Sequence, residues 1–325
     1  MDNVKLLNNL ANDKDKFYKE IEKVIIGQKS SIEHILIAIL CKGHILLEGV
    51  PGLGKTLIIK TISNILNLNF NRIQFTPDLM PSDITGSEII TQDNKTGDRS
   101  FKFVKGPIFS NIILADEINR TPPKTQAALL EAMQENKVTI GGTTYEIDNP
   151  LFVMATQNPI EQEGTYPLPE AQLDRFMFNI VIDYPSFEEE INVVKYNTTS
   201  SDINLDTIID KDDLLEYQKL VLNVPVADNL IDYAVKFVHN TRPNNADAPE
   251  ITKKYINWGA GPRASSFLIL AAKAKAVLSN RPTPEIEDLV SVIKPVLRHR
   301  IIPNFNAEAE GLKSDSIIDE LLKIN

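Results

Sequence analysis

The stretch Gly49-Val50-Pro51-Gly52-Leu53-Gly54-Lys55-Thr56 fits the pattern G-x-x-x-x-G-K-[ST] without a mismatch. It follows an apolar run, His44-Ile45-Leu46-Leu47-Glu48, and opens into a helix-like stretch, Leu57-Ile58-Ile59-Lys60-Thr61-Ile62. That context makes it a candidate phosphate-binding loop. Glycines let the backbone turn sharply, so successive N–H groups and the start of the helix point at one anion. A buried strand feeding a helix also implies an α/β fold, a parallel sheet with helices on its faces. Lys55 suits the β- and γ-phosphates of a nucleotide, and the Thr56 hydroxyl suits a Mg²⁺ shell. The bland alternative is a plain turn between strand and helix.

At 325 residues the chain has room for about two domains and a sizeable core. Apolar residues make up 42% and charged residues 24%, the balance of a globular protein. The formal charge of −10, with no long basic run, argues against an electrostatic nucleic-acid binder. One cysteine, Cys41, excludes an intrachain disulfide and fits a reducing compartment. No signal-peptide core and no spanning apolar stretch are visible, so a cytoplasmic protein without membrane insertion is expected.

Along the chain, Ile112-Ile113-Leu114-Ala115-Asp116-Glu117 reads as a buried strand ending in two carboxylates. Such an ending is costly unless the carboxylates meet a cation or polar partners. Beside a phosphate loop, Asp116 suits the metal, commonly through water, and Glu117 suits polarising the attacking water. Asn158 lies just past the next apolar run, Leu151 to Thr156. Its amide could face the γ-phosphate or that water, or merely stop a strand. Gly141-Gly142 marks a hairpin within Lys137 to Ile147. The segment from Pro81 to Asn111 is either a hairpin on a helix or a surface loop. Leu173-Asp174-Arg175 precedes a strand beginning at Phe176, where Arg175 reads as an exposed cation with no local role beyond its neighbour Asp174. Beyond Tyr184-Pro185 helical patterns dominate. There Arg263, in the first turn of a helix, marks either a nearby anion or ordinary surface. Pro295 should end or kink its helix. No Cys/His cluster has metal-ligand spacing.

On these residues the chain resembles the MoxR family of AAA+ ATPases. The likeness runs through the phosphate loop, Leu114 to Arg120, Ala155-Thr156-Gln157-Asn158-Pro159, Glu163 to Phe176, Gly261-Pro262-Arg263-Ala264 and Leu297-Arg298-His299-Arg300. It implies a helical lead-in at 1–23, an αβα core at 24–185 with an insertion at 82–109 and a hairpin at 137–147, and an all-helical lid at 186–325. It implies ATP and ADP as ligands with Mg²⁺, and Ile26 and Gly27 at the adenine pocket. Asn158 resembles sensor 1 and Arg263 sensor 2. Arg175 resembles a finger reaching a neighbour's nucleotide, with Arg120 as the alternative. Members resemble chaperone-like remodellers of client proteins, working as hexameric rings, often with partners carrying von Willebrand factor A domains. The insertion tip, Gln92 to Ser100, is expected to be mobile and to contact such a partner. Rival expectations are a nucleic-acid-remodelling motor and a nucleotide-gated module with negligible turnover.

Overall fold

The structure, a computed structural model, describes residues 3–92, 99–159, 164–198 and 203–324. Residues 93–98 of the insertion tip and Glu163 of the Glu163–Phe176 motif lie outside the described residues.

Five parallel strands form the central sheet: β1 (Ile45–Glu48), β2 (Phe70–Gln74), β3 (Ile112–Asp116), β4 (Phe152–Gln157) and β5 (Phe178–Val181), in the order β2-β3-β4-β1-β5. Inner strands are apolar throughout because both faces are covered. The alternation of side chains divides the core in two. Ile112 and Leu114 face the layer of helices Lys29–Leu40 and Lys55–Ile65, whereas Ile113 and Ala115 face Leu129, Leu130 and Met133 of helix Pro123–Glu135. Registers such as Leu47 opposite Thr156 and Gln74 opposite Asp116 bring four strand ends level. Everything that follows those ends therefore shares one edge of the sheet.

The insertion resolves as a hairpin on a short helix, Pro81–Thr85, with strands Gly86–Gln92 and Arg99–Lys105. A second hairpin, Lys137–Ile140 with Thr143–Glu146, turns at Gly141-Gly142. The two hairpins touch: Phe103 stacks on Tyr145 with ring centroids 4.0 Å apart.

From Phe187 the described chain is helical, chiefly Phe187–Thr198, Lys211–Asn223, Asp228–Asn240, Pro262–Leu278, Ile286–Leu297 and Ser314–Ile324. It carries in addition a small antiparallel ladder, Ile256–Trp258 with Ile302–Pro303, which periodicity had not suggested. Pro295 does not end its helix, which runs to Leu297. The Ser291 carbonyl that Pro295 leaves without its helical donor is bonded by the His34 imidazole instead. The lead-in helix Asn3–Ile21 buries Leu6, Leu10, Phe17 and Ile21. It packs on core helix Lys55–Ile65 and on lid helices Lys211–Asn223 and Pro262–Leu278. Lys14 Nζ donates to the Leu278 carbonyl at 2.9 Å. Among the described residues no helix is long and apolar enough to cross a membrane.

Candidate nucleotide site

The loop after β1 wraps the N-terminus of helix Lys55–Ile65. Gly52 and Gly54 sit at φ +87° and +73°, which L side chains rarely adopt. A Cβ at either would meet open space, so the loop faces a cleft with its backbone bare. That cleft, about 450 Å³, is lined by Pro51, Gly52, Leu53, Gly54, Lys55, Thr56 and Leu57 on one side. Arg72, Asp116, Glu117, Thr156, Gln157 and Asn158 line the other. Lys55 Nζ donates to the carbonyls of Gly49 and Val50, which holds the ammonium over the loop. Burial lowers its pKa, and the carboxylates of Asp116 and Glu117 pull it part of the way back.

The two carboxylates are held by a chain of bonds from β2 and β4. Thr156 Oγ1 donates to Asp116 Oδ1 at 2.6 Å and accepts the Glu117 N–H at 2.9 Å. Arg72 donates through Nε and Nη2 to Asp116 Oδ2, at 3.0 and 2.6 Å. The same Nη2 also donates to Gln74 Oε1 at 2.6 Å, which turns the Gln74 amide nitrogen to Glu117 Oε2 at 2.8 Å. Arg120 Nη1 lies 3.2 Å from that same oxygen. Glu117 itself stands at φ +57°, left-handed for a residue with a Cβ, a strain on the order of 1–3 kcal/mol. Its bond to Thr156 and its two side-chain partners offset that strain.

Beside the phosphate cleft lies a second pocket of about 360 Å³, lined by Val24, Ile25, Ile26, Leu57, Ile58, Tyr184, Val193 and Tyr196 among others. Its apolar walls suit a flat base. Ile26 lines it as expected, while Gly27 is not among its walls. The cleft fits a phosphate chain, and the Thr56 hydroxyl with the Asp116 carboxylate makes an oxygen donor set suited to Mg²⁺. Asn158 is buried at the cleft, past the end of β4. Gly49 instead faces a larger space of about 910 Å³ between β5 and the lid, bounded also by Glu48, Asn179, Arg298 and His299.

The two remaining arginines of interest lie outside the phosphate cleft. Arg175 is not the exposed cation expected: it is half-buried, and its Nη1 donates to the Leu130 carbonyl at 2.9 Å. Arg263 Nη1 bonds Asp174 Oδ2 at 2.9 Å, one residue from Arg175. Asp174 is thus no weak local partner of Arg175. It also receives Arg300, whose Nε reaches Asp174 Oδ1 at 2.8 Å. Arg300 is 5% exposed and donates in addition to the carbonyls of Asp174, Phe176, Met177 and Val296. Arg298 grips Asp315 with two nitrogens, at 3.0 and 2.8 Å, and bonds the Asn179 carbonyl at 3.2 Å. His299 Nε2 donates to the Phe176 carbonyl at 3.0 Å. The motif Leu297-Arg298-His299-Arg300 is therefore a clamp between lid and core. Arg72, Gln74 and Thr156 were not singled out from the sequence. Thr156 stood inside a motif, but nothing in the spacing joined Arg72 to Asp116.

Comparison with known proteins agrees with this geometry. Residues 44–178 match the ATPase family associated with various cellular activities (AAA), and residues 248–321 match the AAA lid domain. The chain is 43% identical over 304 residues to Chaperone MoxR1 of Mycobacterium tuberculosis, covering 94% of this chain and 79% of that protein. It is also 43% identical over 308 residues to YeaC of Bacillus subtilis, covering 94% and 92%. A crystal structure of a Cytophaga hutchinsonii protein superposes with a TM-score of 0.90 at 45% identity, covering 98% of this chain and 96% of that one. With the phosphate loop, the paired carboxylates and the helical lid in one arrangement, the chain belongs to the MoxR family of AAA+ ATPases.

Proposed function

We propose that this protein hydrolyses ATP as a ring of identical subunits, hexameric in the family pattern, and uses the cycle to remodel or assemble client proteins. A partner carrying a von Willebrand factor A domain belongs to this reading. The observation that carries it is the convergence of Lys55, Thr56, Asp116, Glu117 and Asn158 on one cleft beside an apolar pocket. Loop N–H groups and Lys55 bind and orient the phosphates. Thr56 and Asp116 would hold Mg²⁺, which when bound would neutralise charge on the phosphate oxygens. Glu117 orients the attacking water and accepts its proton, and Asn158 fixes the γ-phosphoryl group or that water.

Arg263 bonds Asp174, Arg175 bonds the Leu130 carbonyl, and both stand apart from their own phosphate cleft. That supports a role for Arg175 at the nucleotide of an adjacent subunit, where such an arginine contributes ~10³–10⁵ in rate, with Arg263 kept as sensor 2 on the lid. The test is a mixing experiment. Glu117→Gln should bind ATP while turning over at least ~10²-fold more slowly, since it keeps shape and loses the base. Arg175→Ala should bind ATP and hydrolyse poorly. Mixed rings contain some sites with both halves intact, so activity should reappear on mixing and rise with total protein concentration. Co-assembly without recovery would place Arg175 in its own site or pass the finger to Arg120.

A further inference from the structure

Both oxygens of Asp116 have partners within the chain. One oxygen accepts from Thr156, and the other accepts two nitrogens of Arg72. The Asp116 side chain is 13% exposed, while that of Arg72 is 48% exposed, so the cation is the partner with room in solvent to withdraw into. Arg72 extends from β2, whose Gln74 is paired with Asp116 in the sheet register. Its guanidinium lies on the wall of the phosphate cleft.

We propose that Arg72 is an interlock on the metal carboxylate. It is a resident cation that must leave Asp116 before that oxygen can face a divalent metal, and its departure removes the group that orients Gln74 toward Glu117. This rests on the ATPase reading above. Two features of the site and one electrostatic effect support it. A guanidinium forked on one carboxylate oxygen is a charge-assisted pair, and it occupies the side of Asp116 that Thr156 leaves open. The like charges of Arg72 and a divalent cation cannot share that oxygen at close range without strong repulsion. Finally, Arg72 Nη2 also orients Gln74, and Gln74 in turn donates to Glu117. Withdrawal of Arg72 therefore leaves the Gln74 amide free to turn, while Arg120 stays on Glu117. Loading of the metal side and loosening of the Gln74 contact to Glu117 become one event, and the displaced guanidinium remains beside the cleft.

The test uses the full chain and a fluorescent ADP analogue, with binding measured across a buffered series of free Mg²⁺. Arg72→Gln removes the competing cation and keeps a polar side chain on a half-exposed edge position. Its half-saturating Mg²⁺ should fall about fivefold, the scale of a half-exposed ion pair. Arg72→Lys, a point charge without the fork, should fall between the two. An unchanged or raised Mg²⁺ requirement in both variants overturns the interlock while leaving the ATPase reading intact. Failure of the unaltered protein to bind the analogue at any Mg²⁺ would overturn the ATPase reading and this inference with it.

Discussion

One hydroxyl, that of Thr156, serves both carboxylates: it donates to Asp116 and accepts from the Glu117 backbone. Thr156→Val keeps the shape and removes both bonds. The loss leaves two groups in the cleft unpaired, at ~1–3 kcal/mol. ATP turnover should fall by about 10- to 100-fold while fluorescent-nucleotide affinity changes little; equal losses in both would make Thr156 a binding residue. The loop, Asp116 and Glu117 were legible because their chemistry is written in consecutive residues. Arg72 and Thr156 were not, because they lie 44 and 40 positions from Asp116 and meet it only through sheet register. A charge on an edge strand such as β2 is also uninformative by itself, since most such charges are merely solvated.

At the scale of elements, the insertion hairpin is anchored by two glycines packed backbone to backbone. A Cβ on Gly106 would come within 2.4 Å of both the Gly86 nitrogen and the Ile84 carbonyl oxygen. Gly106→Ala should therefore unseat the hairpin at a local cost of ~1–3 kcal/mol. Amide exchange should quicken in Gly86–Gln92 and Arg99–Lys105 and stay unchanged in the central strands; global loosening would contradict this. The sequence left hairpin and loop open here because strands exposed on both faces show no clean alternation. Pro295 lies inside its helix and does not end it, for a related reason. Its effect on the helix depended on a distant donor, His34, that no local pattern reveals.

Two predictions belong to the whole molecule. Arg300→Met removes a buried cation that ties the lid to Asp174 and to the carbonyls of Phe176 and Met177. Urea denaturation should show a loss of ~1–3 kcal/mol, the scale of leaving buried carbonyls unpaired, since Asp174 keeps Arg263. The second concerns acid. Burial lowers His34 and His44 from 6.5 to about 4, and holds His299 well below 6.5. Between pH 6.5 and 4 the unfolded chain binds protons that the folded chain refuses, so stability is intact above that window and falls within it. The slope reaches ~1.4 kcal/mol per pH unit for each such histidine. His44 accepts from the Val153 N–H and faces the Met133 carbonyl. His44→Gln can make both bonds without titrating, so its melting temperature should fall less steeply across the same window.

The clamp at Asp174 also bears on where this protein can be cut and rejoined. Chain order puts a border near residue 186, where strands give way to helices. Yet Arg263 and Arg300 hold Asp174, and Arg300 and His299 hold the carbonyls of Phe176 and Met177. A chimera that grafts only the helical half onto a relative's core would leave those cations facing foreign partners. The transplantable unit begins at Asp174, and it carries Arg175 with it.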